Sequence, residues 1–258
     1  YSDAGSISGQ TVFPKTALQY LDSVGIAGRK QQLERISAAM KRVGEGASQF
    51  VIVDGAPGMG KTSLLATIQR NLEKTKLRPV RVNGAVQEAF RPYYMVSYIA
   101  LALVNQMPDK GIAILEKLDD EEISRLAHIL PQLQSGEPPL PENDPDKREA
   151  IFRSFGRFLT QLAGNRPLVL LIDDLHYCDP ASLHLIRVLM KADDLLLFIC
   201  GTASREKQTI GESVPLELFR TAFADELGIE DVQLTPLSEE DIAKHMNIVF
   251  PGITLPKR

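Results

Sequence analysis

Residues 55–62 read GAPGMGKT and fit the spacing G-x-x-x-x-G-K-[ST]. The residue types at that spacing suit one kind of chemistry. Gly55, Gly58 and Gly60 let the backbone curl so that successive N–H groups point at phosphate oxygens. A helix starting at residue 61 adds roughly half a positive charge at its N-terminus. Lys61 is placed to reach the β- and γ-phosphates of a nucleotide, and the Thr62 hydroxyl to ligate Mg²⁺. The expected phosphate-binding stretch is therefore Gly55, Ala56, Pro57, Gly58, Met59, Gly60, Lys61, Thr62 and Ser63. The plainer reading is a Gly-rich turn with no ligand. An apolar strand before it and an amphipathic helix after it supply the context that phosphate binding requires.

A second stretch, LVLLIDD, ends an apolar run with two adjacent acids, Asp173 and Asp174. Beside a bound triphosphate, a carboxylate at the end of a neighbouring strand can hold Mg²⁺ directly or through water, and that role falls to Asp173. Asp174 is then expected to orient and deprotonate an attacking water. The competing readings are strand-end solvation for Asp173 and an acid with no catalytic part for Asp174. Many P-loop ATPases carry Glu where Asp174 stands; Asp is one methylene shorter, so slow hydrolysis is expected. Nearby, His176 is either a hydrogen-bonded structural residue or a phosphate sensor, and Asp179-Pro180 reads as a helix cap. Thr202 and Arg205 are expected just past the end of a later strand, on the side where ligands bind in open α/β sheets. Arg205 is either a γ-phosphate contact, which would make it catalytic with Lys61 and Asp174, or an exposed loop arginine.

The elements that must position these groups are legible as alternating strands and helices. QFVIVDG, RPVRVNG, PLVLLID, DLLLFICG and, more weakly, EDVQLT read as strands. Helices are expected over RKQQLERISAAMKRV, over KTSLLATIQRNLEK, from about 92 to 130 with a break at MPDKG and a start near Asp119, after Asp144-Pro145, and after Asp179-Pro180. Apolar runs without alternation indicate strands covered on both faces by helices, hence an α/β fold with a parallel sheet. The Ser/Gly-rich residues 1–20 read as a linker or arm, and PQLQSGEPPLPENDPD as a loop.

Composition narrows the function classes. Of 258 residues, 44% are hydrophobic and 24% charged, an ordinary globular balance, and the net charge of -4 offers no general attraction to nucleic acid or anionic membrane. No apolar run is long enough to span a bilayer, and the N-terminus lacks the pattern of a signal peptide. Two cysteines, Cys178 and Cys200, imply no disulfide framework and point to a cytoplasmic setting. The His and Cys residues show no zinc spacing. A chain that starts at Tyr1 rather than Met, and stops just after an expected helix, reads as a piece of a longer protein.

Taken in order, GIAGRKQQLERI, VIVDGAPGMGKTSLL, FRPYYMVSYI, RPLVLLIDDLHYCDPASLHLIRVL, LLFICGTASRE and LTPLSEEDIAKHM resemble the STAND branch of the AAA+ ATPases, over about residues 24 to 246. DDLHYCDPASL departs from the family's usual DDLHWADPASL at Tyr177 and Cys178 and keeps both acids. GTPases are set aside because no Asn-Lys-x-Asp is present. The resemblance implies a P-loop NTPase sheet of five parallel strands in the order 5-1-4-3-2, flanked by helices. It also implies ATP/ADP and Mg²⁺ as cofactors, and a slow molecular-switch role in multidomain signalling or transcriptional regulators. Partners would then be other domains of the same polypeptide, with self-oligomerisation an open option. Ile26, Ala27, Gly28 and Arg29 match the segment that lies beside the adenine in relatives; an ordinary loop and helix start is the alternative. The implied layout is an ATPase domain over 21–235, with a helical insertion at 92–147, and the start of a helical lid over 236–258, its first helix capped by Ser238. The family's Gly-Asn-Pro lid element has no counterpart before Arg258. Two rivals remain: a module that holds ATP or ADP without turnover, and a DNA-associated AAA+ loader, for which a basic face is lacking. Arg148, Arg153, Arg157 and Arg187 are either fingers acting on a neighbouring copy or solvated helix faces.

Overall fold

A computed structural model describes residues 28–75, 77–134, 143–204 and 214–249. Five strands form one sheet: β1 (Gln49–Asp54), β2 (Val80–Asn83), β3 (Leu168–Asp173), β4 (Leu197–Ala203) and β5 (Glu230–Gln233). Their spatial order is β2-β3-β4-β1-β5 and every pairing is parallel, as the resemblance implies. β4 lies between β1 and β3, with Val53 opposite Thr202 and Ile172 opposite Gly201. That register brings the C-terminal ends of three strands to one level, where a sheet of this type binds its ligands.

The helices among the described residues are α1 (Lys30–Gly44), α2 (Lys61–Glu73), α3 (Tyr94–Gln106), α4 (Pro108–Leu115), α5 (Asp120–Ala127), α6 (Pro145–Ala163), α7 (Pro180–Met190), α8 (Val214–Leu227) and α9 (Glu239–Val249). The uninterrupted apolar character of the strands follows from a core on each face of the sheet. Phe50, Ile52, Leu170 and Ile172 join helices α3 to α8 in the larger core. Val51, Val53, Val169 and Leu171 pack with α1 and α2 in the smaller one. Side chains alternate across a strand, so both sets must be apolar when both faces are covered.

The region from 92 to 134 enlarges that core: Met95, Val96, Ile99 and Leu103 of α3, with Ile114, Leu126 and Ile129, are all buried in it. The break expected at MPDKG falls on Met107 alone, because Pro108 takes the first position of α4 instead of interrupting a helix. Asp119 caps α5 by accepting from Glu122 N, while the Glu122 carboxylate pairs with Arg157. β4 starts later than expected and runs past Gly201 to Ala203, so Thr202 is a buried strand residue and not a loop residue. Arg187 is held by Glu226 of α8 at 2.8 and 3.0 Å and stacks over Phe223, and Arg153 lies 3.8 Å from Glu149. Both thiols are buried; desolvation raises Cys200 to about 12, and it raises Cys178 well above its ordinary range, with Asp179 adding to the effect.

Asp179 does more than cap its own helix. Its carboxylate accepts from Ser182 N at 2.8 Å, at the start of α7, and from Tyr93 N and Met95 N at 2.9 and 3.3 Å, at the start of α3. Tyr93 has a left-handed φ of 61° and no cap of its own, so α3 borrows this one. Asp179 is 1% exposed. Asp179→Ala should therefore lower unfolding free energy by about 2–4 kcal/mol in urea titrations, combining a lost cap with stranded buried amides, and Asp179→Asn should recover much of it. Neither cysteine should react with a thiol reagent at pH 8 until the protein is unfolded, as a chromogenic disulfide assay with and without denaturant would show.

Candidate nucleotide site

The loop between β1 and α2 is built for an anion. Gly58 and Gly60 adopt left-handed φ values of 82° and 85°, and a Cβ placed on either would meet nothing within 4 Å, so their exposed side is open. Gly60 is the N-cap of α2 and supplies no side chain to the first-turn amides. Those amides, together with the helix dipole, are what a phosphate needs. Lys61 is buried, and its ammonium donates to Gly55 O at 2.6 Å and Ala56 O at 3.1 Å, across the same loop.

Across β4 from this loop, Asp173 ends β3 with only 5% of its surface exposed. Its Oδ1 accepts from the Thr202 hydroxyl at 2.6 Å and from the Thr62 hydroxyl at 3.3 Å. Its Oδ2 accepts from the Arg81 guanidinium at 2.9 Å. A hydroxyl and a carboxylate from separate elements meeting at hydrogen-bond distance form the hard oxygen pair that suits Mg²⁺, so the residues present fit that ion. The geometry thus brings Lys61, Thr62 and Asp173 to one place.

Asp174 follows with a left-handed φ of 52°, a conformation that Asp enters more readily than most residues, and begins the short 3-10 turn Leu175–Tyr177. Its N–H donates to Thr202 Oγ1 at 2.9 Å, so one hydroxyl on β4 orients both acids. Its side chain is half exposed, unlike that of Asp173. Asp174 is pinned from the other side by the end of β2. Gly84 N donates to Asp173 O at 2.8 Å, and a Cβ on Gly84 would stand 2.3 Å from the Asp174 carbonyl oxygen. Only glycine permits that approach. His176 is buried in the turn, with Nδ1 4.0 Å from Asp174 Oδ1 and its ring against Tyr177.

The segment expected beside the base is described only at Gly28 and Arg29; Ile26, Ala27 and also Arg205 lie outside the described residues. Arg29 is buried, and its guanidinium donates to Met59 O at 2.9 Å and to Thr235 O at 2.7 Å. Burial lowers its pKa, with Asp241 of α9 acting in the opposite direction. Its side chain is thus a tie between the phosphate loop and the segment leading into α9. A Cβ on Gly28 would meet Asp241 and Leu237 at 2.7 Å, so the helix expected to open the lid packs directly against this segment. Ser238 caps α9, accepting from Asp241 N at 3.1 Å.

Four residues at this site escaped the sequence reading in their present roles. Arg81 and Thr202, on other strands, and Gly84, just past the end of β2, act on Asp173 or Asp174, and Arg220 of α8 donates to Asp54 at 2.7 Å, immediately before the phosphate loop. The Arg220 contact is buried: desolvation disfavours its charge, while hydrogen bonds to Asp54 and Asp231 raise its pKa. Thr202 alone carried a signal, its position at a strand end; the others have no local pattern.

Comparison with known proteins agrees with this geometry. "Hybrid signal transduction histidine kinase G" of Dictyostelium discoideum is 31% identical over 180 residues, covering 64% of this chain and 5% of that protein. The chain therefore spans a small part of the length of the relative it matches. The family model described as "AAA ATPase domain" matches residues 26–199, which takes in the glycine loop, both acids and the first three residues of β4. With that match over more than half of its length and the parallel order β2-β3-β4-β1-β5 behind it, the chain belongs to the AAA ATPase domain family.

Proposed function

We propose that this chain is a STAND-type AAA+ switch module that binds ATP with Mg²⁺, hydrolyses it slowly and serves a multidomain signalling or transcriptional regulator. The observation that carries the reading is the run of contacts Thr62–Asp173–Thr202–Asp174 beside the open side of Gly58 and Gly60. Residues 55–63 hold the phosphates, and Lys61 exchanges its loop carbonyls for β- and γ-phosphate oxygens. Thr62 and Asp173 hold Mg²⁺, which when bound neutralises charge on the transferring phosphoryl group. Asp174 orients water and accepts its proton. Its short, half-exposed side chain supports a slow step. Arg205 contacts the γ-phosphate, and Ile26, Ala27, Gly28 and Arg29 border the base, Arg29 doing so while tying the phosphate loop to the root of α9.

Residues 21–235 form the ATPase domain in this reading and 236–258 begin its lid, with residues 1–20 a linker or arm. The packing of Leu237 and of Asp241, in the helix that begins the lid, against Gly28 gives nucleotide state a route to other domains, the partners expected here. The similarity to a histidine kinase named for signal transduction supports that setting, and buried, unpaired thiols suit a cytoplasmic one.

Lys61→Ala should abolish ATP binding measured by calorimetry; unchanged affinity would remove the phosphate-site assignment. Asp174→Asn should keep ATP affinity within about twofold and slow single-turnover phosphate release by roughly a hundredfold or more. Turnover equal to wild type in that variant would take the water-activating role from Asp174. No phosphate release by the wild type over hours, with ATP bound, would favour a module that holds nucleotide without turnover.

A further inference from the structure

Arg81 is the feature that the nucleotide reading leaves unused. It lies in β2 at the edge of the sheet, between Val80 and Val82, which are buried in the larger core. Alternation turns Arg81 to the opposite face, the one that α2 covers, and there it meets Asp173 Oδ2 at 2.9 Å. The two oxygens of Asp173 are thereby divided: the hydroxyls of Thr62 and Thr202 take Oδ1, and the guanidinium takes Oδ2.

A guanidinium and Mg²⁺ want the same thing from a buried carboxylate and repel each other. Arg cannot lose its proton to make way, so it must move or share. The pair is asymmetric in a way that settles which partner moves. The Asp173 side chain is 7% exposed and held by two further donors, whereas the Arg81 side chain is 23% exposed and rises from an edge strand with a long, flexible stem. Arg81 can swing toward water with little loss of solvation; Asp173 has nowhere to go.

We propose that Arg81 is a gate on the metal site, a positioning residue that holds Asp173 when no cation is bound and competes with Mg²⁺ for it. The inference rests on Thr62 and Asp173 being the metal-holding pair. Arg81 then sets the Mg²⁺ concentration at which the site loads, without touching the nucleotide. With a metal ion held by Thr62 and Asp173, the Arg81 guanidinium would be the group to give way, toward solvent beside the end of β2. The strand that leads into Gly84, which packs on Asp174, thus also carries the residue that answers to the metal.

The test is affinity for a non-hydrolysable ATP analogue by calorimetry, in EDTA and across a MgCl₂ series, for wild type, Arg81→Gln and Arg81→Lys. Removing the guanidinium should leave affinity in EDTA within about twofold of wild type. It should lower the half-saturating Mg²⁺ concentration by about three- to tenfold, a range between exposed and buried charge pairs. Arg81→Lys, which keeps the charge but loses the fork, should shift it the same way by less, and carries the test alone if Arg81→Gln does not fold. A midpoint that stays put or rises overturns the gate. So does a loss of affinity in EDTA, which would make Arg81 a phosphate contact. Wild-type affinity that is high and indifferent to Mg²⁺ would instead overturn the metal reading of Thr62 and Asp173 on which the gate stands.

Discussion

The buried carboxylate of Asp173 is the constraint around which this fold is organised. A carboxyl group almost without access to water must find its polar partners in the protein, because an unsatisfied buried polar group is costly. Asp173 finds them in three directions: a hydroxyl from the helix that follows β1, a hydroxyl from β4, and a guanidinium from β2. Those donors converge only if β4 lies between β1 and β3 and if β2 borders β3, which is the observed order. The same order places the glycine loop next to the acid. Electrostatic satisfaction and assembly of the site are one requirement.

The surroundings of that acid differ on its two sides. On one side, Asp174 is fixed in a left-handed conformation between Thr202 and Gly84, and the helix after it is anchored by Asp179, whose carboxylate also starts α3. On the other side, Gly58 and Gly60 open toward solvent, with Lys61 turned onto its own loop. The two acids are thus held by hydrogen bonds and close backbone packing, while the glycine loop presents open backbone beside them. Arg29 connects the cradle to the start of α9, and Arg220 connects the residue before the cradle to α8 and β5. The loop is thereby tied by hydrogen bonds to elements at one edge of the sheet.

The parts of this site that could be read from the chain alone are those whose physics is local. The glycine loop, Lys61 and Thr62 lie within eight residues, and their chemistry depends on a backbone curl followed by a helix. Apolar runs without alternation announced strands covered on both faces, and Asp-Pro pairs announced helix starts at Pro145 and Pro180. Each needs only neighbours a few residues apart, so spacing encodes it. The strand order came by resemblance, since no propensity distinguishes one arrangement of buried strands from another.

Tertiary structure decided the rest. Arg81 and Asp173 are 92 residues apart, Thr62 and Asp173 111, and Arg29 and Thr235 206. No periodicity marks Arg81 within RVN as the partner of an acid, or Gly84 as the residue whose missing Cβ lets Asp174 come close. Asp179 is legible as the cap of α7, but not as that of α3, whose start lies in another part of the chain. The sequence by itself determined which residues can do phosphate chemistry, because that is a property of side chains and short spacings. Which of them meet, and which arginine stands over the buried acid Asp173, is settled by strand order and register, because those bring distant residues to within hydrogen-bond reach.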